Sequence, residues 1–127
     1  MEIHHISITS KNIKKDLKFY QDIFGLQIFK QYKDDEMEIY LLKGNIILEI
    51  FWFRKFNDLP KYKKDLEKDI KTIGINHFAF SVSDLEKFKN KLKKKKIEIY
   101  KDITEGKILK YIFLKDCSGN LVEVVER

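Results

Sequence analysis

Apolar residues change period along this chain, alternating at every second position in some stretches and returning every third or fourth in others. Residues 2–9 alternate and read as a strand. Ile13, Leu17, Tyr20 and Phe24 then recur at helical spacing, with Asn12 placed to cap the helix and Gly25 to stop it. Strands follow at residues 27–33, 36–43 and 46–53, separated by turns at Lys33-Asp34-Asp35 and Lys43-Gly44-Asn45. The same order then repeats. A strand over 75–82 leads to a helix capped by Ser83 or Asp84, and strands near 97–101, 108–115 and 120–126 are turned at Glu105-Gly106-Lys107 and Ser118-Gly119-Asn120. Between the repeats, residues 54–73 hold the sole proline, Pro60, and predict a short helix near Tyr62 to Ile70.

The repetition extends to the polar residues. Laying Ile3-His4-His5-Ile6-Ser7-Ile8 over Ile75-Asn76-His77-Phe78-Ala79-Phe80 places His5 on His77 at an offset of 77 − 5 = 72 residues. Glu49 in Ile46-Ile47-Leu48-Glu49-Ile50 falls on Glu123 in Leu121-Val122-Glu123-Val124 to within one or two positions of the same offset. A duplicated unit is the simplest source of both matches. The chain therefore predicts an α+β fold built from two βαβββ modules, at about 1–53 and 74–127, joined by a linker at 54–73 within one domain spanning 1–127.

Glu49 and Glu123 are the chemical oddity. Each interrupts a strand so apolar that cover on both faces is expected, and a buried ionised carboxylate without a partner costs several kcal/mol. Alternation puts Glu49 on a face with Ile47 and Phe51, Glu123 with Leu121 and Val125, His5 with Ile3 and Ser7, and His77 with Ile75, Ala79 and Ser81. One such histidine alone reads as a satisfied core residue, and one such glutamate as the partner of a lysine. Four at matching places read as a nitrogen and oxygen donor set for one divalent Ni, Co, Mn, Fe or Zn ion, with two positions left for substrate oxygens.

These stretches, with Phe19-Tyr20-Gln21-Asp22-Ile23-Phe24-Gly25-Leu26 and Phe113-Leu114-Lys115-Asp116-Cys117-Ser118-Gly119-Asn120, resemble the vicinal oxygen chelate superfamily of glyoxalases, bleomycin-resistance proteins and extradiol dioxygenases. The resemblance covers nearly the whole chain and implies two paired modules forming a cupped, partly closed mixed sheet around a metal. It implies that His5, Glu49, His77 and Glu123 are the four ligands of a glyoxalase I-like lyase or isomerase, and that Glu123 is the base that forms a metal-bound enediolate, with Glu49 as the second catalytic carboxylate. A low-molecular-weight thiol is the implied co-substrate option. Thr9 stands where short bacterial glyoxalases carry an arginine that helps hold glutathione, and Phe53 where they carry asparagine. Trp52 and Phe53 suit a less polar substrate. Methylmalonyl-coenzyme A epimerases, close cousins, typically carry glutamine at the Glu49 position. Two rivals share the fold: an Fe(II) extradiol dioxygenase, in which Glu49 is a bystander, and a non-catalytic drug- or metabolite-binding resistance protein.

Charge narrows the partners. The net charge is +6, and Lys91, Lys93, Lys94, Lys95 and Lys96 cluster, but they fall in the last turn of a predicted helix, where cations complement the dipole. Arginine occurs only at Arg54 and Arg127, so no nucleic acid is expected, and the positive surface suits anionic metabolites or thiol cofactors as small-molecule partners. Cys117 is the only cysteine, which excludes an internal disulfide and fits a reducing compartment. No run approaches the ~18 apolar residues of a membrane span, and no secretory leader pattern is present, so a cytoplasmic protein is expected. The small core and the resemblance predict a homodimer, with the metal held within one chain or across two.

Overall fold

Each half of the chain folds as predicted, as a helix laid on a four-stranded mixed sheet, in a computed structural model that describes residues 1–127. The first compact unit, Met1–Asp58, contains β1 (His5–Ser10), α1 (Ile13–Phe24), β2 (Gln27–Lys33), β3 (Met37–Lys43) and β4 (Ile47–Phe53). Its sheet order is β1-β4-β3-β2, with β1 parallel to β4 and the other pairs antiparallel. The second, Leu59–Arg127, contains a 3-10 turn (Lys61–Lys64), α2 (Leu66–Ile70), β5 (Phe78–Val82), α3 (Leu85–Lys94), β6 (Lys101–Glu105), β7 (Lys110–Lys115) and β8 (Leu121–Glu126). Its order, β5-β8-β7-β6, copies the first.

Local chemistry sets the helix ends. Asn12 Oδ1 accepts from the Lys15 amide at 3.3 Å, and Asp84, rather than Ser83, accepts from the Lys87 amide at 3.0 Å. Gly25 closes α1 at φ 68°, a left-handed conformation that a Cβ disfavours, and its amide bonds the Gln21 carbonyl at 3.0 Å. α1 buries Ile13, Asp16, Phe19, Tyr20 and Ile23, while Leu17 and Phe24 sit half-buried at the rim of that stripe. Asp16 is buried because the Ser10 hydroxyl, at the end of β1, donates to its Oδ2. α3 buries Leu85, Phe88 and Leu92 and carries Lys91, Lys93 and Lys94 in its last turn, as the charge pattern predicts.

Several boundaries differ from the periodicity. β1 begins at His5 rather than residue 2 because its ladder starts at His5↔Ile47, where β4 itself begins. β5 begins at Phe78, so His77 precedes the ladder instead of lying inside it. The predicted strand at 97–101 moves to Lys101–Glu105, since the chain leaves α3 through Lys96 at φ 57° before pairing with β7. The helix expected over Tyr62 to Ile70 is divided at Asp65, whose extended backbone and side chain cap α2.

Cover is also unequal on the two faces of β4. Leu48 and Ile50 are buried, whereas Ile47, Glu49 and Phe51 are half-buried. The apolar run thus reflects one closed face and one partly open face carrying the carboxylate.

Candidate metal centre

Register brings the repeated residues to equivalent places. Glu49 lies beside Ser7 on β1 and Leu41 on β3, and Glu123 beside Ala79 on β5 and Phe113 on β7. The first-strand partners are 79 − 7 = 72 residues apart, the glutamates 123 − 49 = 74, so the second module holds two extra residues between its first and last strands. Ser7 and Ala79 leave room beside each carboxylate.

Each unit pairs its histidine with its glutamate. His77 Nε2 is 2.9 Å from Glu123 Oε2, with the side chains 22% and 17% exposed. His5 Nε2 is 3.7 Å from Glu49 Oε1, with the side chains 43% and 21% exposed. Two donors on adjacent positions of an ion with bonds of about 2.1 Å lie about 3 Å apart. The second pair already has that spacing. The first is too long for a hydrogen bond and 0.7 Å (3.7 − 3.0) beyond that spacing. Within each unit no third histidine, cysteine, aspartate or glutamate completes a cluster around its pair. In each unit the imidazole and the carboxylate are nitrogen and oxygen donors of the kind a borderline divalent cation takes.

The supporting groups differ. The other nitrogen of His5, Nδ1, lies 2.8 Å from Nδ1 of His4, so one ring donates to the other. A ligating histidine ordinarily donates its outer N–H to a carboxylate, carbonyl or water, and His4 fills that place only in the tautomer in which His5 is the donor. In the sequence, the adjacent His4-His5 doublet is its only signal. His77 instead meets Phe113 edge-on, at 5.0 Å between ring centres, and its Nδ1 is buried without a partner.

Residues from the linker stretch shape the surroundings of Glu123. Leu66 on α2 packs with Phe113, Leu121 and Tyr111, the last three on the strands that flank or carry Glu123. The Tyr100 hydroxyl accepts from the Leu66 amide at 3.2 Å, and the Lys115 ammonium donates to the Lys64 carbonyl at 2.6 Å while standing 4.3 Å from the Tyr100 ring centre. At the β7–β8 turn, Asp116 Oδ1 accepts from the amides of Ser118 and Asn120 at 3.0 and 2.9 Å, fixing where β8 starts. Cys117 is exposed in that turn.

Of the two aromatics expected beside the site, only Phe53 shares the face of Glu49. Trp52 is on the opposite face, paired in register with Ser10 and Glu38, because neighbours on a strand point apart. Phe51, which the alternation also puts beside Glu49, stacks on Phe53 with ring centres 5.7 Å apart. Thr9 lies on this face as well.

Two βαβββ modules of the same strand order are the fold this chain shares with a known class. Residues 2–124 match the profile of the Glyoxalase/Bleomycin resistance protein/Dioxygenase superfamily, and the chain belongs to that family. It is 31% identical over 121 residues to the uncharacterized protein YwkD of Bacillus subtilis, covering 90% of this chain and 89% of that one. It is 27% identical over 129 residues to mitochondrial methylmalonyl-CoA epimerase of Mus musculus, covering 96% and 71%. Among solved structures, a glyoxalase family protein from Enterococcus faecalis superposes with a TM-score of 0.80 at 26% identity, covering 98% of this chain and 97% of that chain. The family thus includes enzymes and typically holds a divalent metal. No helix here is long and apolar enough to cross a membrane.

Proposed function

We propose that this protein is a metal-dependent glyoxalase-like lyase or isomerase acting on a small carbonyl or thiol-adduct substrate, with His5, Glu49, His77 and Glu123 as the ligands of one divalent ion. The observation that carries the reading is the doubling: each module has one histidine paired with one glutamate, and the glutamates occupy equivalent register positions. The ion supplies a Lewis acid that stabilises negative charge on substrate oxygens. Glu123 removes the proton from the carbon next to the carbonyl and returns it to the neighbouring carbon, while Glu49 is the second carboxylate available to the proton. Ser7 and Ala79 leave space for the substrate beside the carboxylates, and the half-buried Phe51 and Phe53 favour a substrate less polar than glutathione. The working form is a cytoplasmic homodimer, and a low-molecular-weight thiol is the candidate co-substrate.

Elemental analysis of protein purified without chelators is the first test. About one Ni, Co, Mn, Fe or Zn per chain, with Glu49→Gln reducing it, supports the four-ligand site and directs screening to 2-oxoaldehydes combined with several thiols. No metal even after reconstitution removes the enzyme reading and leaves a binding protein of the same fold. The longer His5–Glu49 spacing of 3.7 Å favours one second reading, a site using His5, His77 and Glu123 alone, as in an extradiol dioxygenase. Undiminished metal in Glu49→Gln, with oxygen consumption on catechols, selects it.

A further inference from the structure

Two side-chain polar atoms in the chain are buried without a hydrogen-bond partner, Asp69 Oδ2 and His77 Nδ1. One is an acceptor and the other belongs to a ring that can donate from it. Both lie in the second unit, and three tethers bring their residues together. Asn76, next to His77, donates from Nδ2 to the Asp69 carbonyl at 2.8 Å. Lys63 Nζ stands 3.5 Å from Asp69 Oδ1 and donates to the Ile75 carbonyl at 3.0 Å. Leu66, one helical turn before Asp69 on the same face of α2, packs on Phe113, the ring that His77 meets edge-on. The Asp69 side chain is only 2% exposed, so it is held against this region and not against water.

We infer that Asp69 is the positioning carboxylate of His77: its Oδ2 accepts the Nδ1 proton across one enclosed water, and so leaves Nε2 to share an ion with Glu123 Oε2, 2.9 Å away. A carboxylate behind a ligating imidazole fixes the tautomer and ring orientation and raises the basicity of the ligating nitrogen. The consequence for metal affinity rests on the four-ligand reading above; the Asp69–His77 link does not. It also gives the linker stretch a chemical task, since α2 supplies a group to the site besides packing on it. His5 has the exposed His4 ring beside its Nδ1 instead of a carboxylate, so the two repeats differ at this point.

The test compares wild type, Asp69→Asn and Asp69→Leu. Zinc affinity is measured by chelator competition, and the His77 ring nitrogens are followed by 15N-resolved NMR with and without zinc. Asp69→Leu removes the buried carboxylate and its ion pair with Lys63 while keeping helix propensity, and circular dichroism of each variant checks the fold; Asp69→Asn keeps an acceptor oxygen. The expected result is a loss of zinc affinity of about 10- to 100-fold in Asp69→Leu and a smaller loss in Asp69→Asn. The wild-type Nδ1 proton exchanges slowly with water, and that protection is lost in Asp69→Leu. Unchanged zinc affinity in Asp69→Leu, or equally fast exchange in both proteins, overturns the inference; a purely structural Asp69 would move only the melting temperature. Should wild type bind no zinc, the metal reading fails and the metal-free spectrum decides alone. A protected Nδ1 proton that vanishes in Asp69→Leu supports the Asp69–His77 link, and a bare or freely exchanging Nδ1 refutes it.

Discussion

The two modules share strand order, helix placement and a His–Glu pair, yet the second pair is tighter and less exposed than the first. The cause is not in the repeated elements. Beside Glu123 stands the Phe113 ring, on which Leu66 of α2 packs; beside Glu49 stands Leu41. The repeated strands place the two glutamates alike, and Leu66 of α2 adds cover behind Phe113 in the second unit. The difference in enclosure falls on the histidines, 22% and 43% exposed, far more than on the glutamates, 17% and 21%.

The sharpest way to break this comparison is to neutralise each glutamate in turn. Glu123→Gln, with metal still bound, is expected to lose turnover by about 10²-fold or more, as for removal of a general base. Steady-state kinetics on metal-loaded protein checks this, and turnover retained in Glu123→Gln but lost in Glu49→Gln would reverse the assignment of roles.

Removing the packing residue on α2 tests the source of the asymmetry. Leu66→Ala deletes a buried leucine between Phe113, Leu121 and Tyr111 and is expected to destabilise the protein by about 2–5 kcal/mol. Urea unfolding followed by fluorescence measures it. If the asymmetry comes from α2, Leu66→Ala also raises the exchange rate of the His77 ring protons, while the His5 ring is unaffected.

A smaller effect belongs to the first module alone. The Tyr40 hydroxyl donates to Glu38 at 2.5 Å, and burial, followed by that bond, pushes the Tyr40 phenol up to about 12 from an ordinary 10.0. The folded state holds this proton more tightly than the unfolded chain does, so the associated stability is complete below pH 10 and is lost as pH rises through about 12. Unfolding curves collected between pH 9 and 12 should lose part of their slope in Tyr40→Phe. An identical slope in the variant would show that Tyr40 does not report on the first module's stability.

Reading the sequence worked best where the signal was local and periodic. Asn12 and Gly25 bound α1 because a side-chain acceptor and a left-handed residue are needed at those points whatever surrounds them. The alternation of β4 and β8 tells which neighbours share a face with Glu49 and Glu123, and it separates Trp52 from Phe53. Strand starts were less legible, since a strand begins where its partner does: β1 at His5 opposite Ile47, and β5 one residue after His77.

By itself, then, the sequence determined the βαβββ repeat, its caps and turns, and the candidate donors His5, Glu49, His77 and Glu123, because period, propensity and duplication are properties of neighbouring residues. Tertiary structure alone decided the distances within each pair, the setting of Leu66 on Phe113 and the stranding of Asp69 Oδ2 and His77 Nδ1 inside the protein. Those depend on contacts between residues far apart in the chain, such as Tyr100 with Leu66 and Lys115 with Lys64, whose pairing no local pattern encodes.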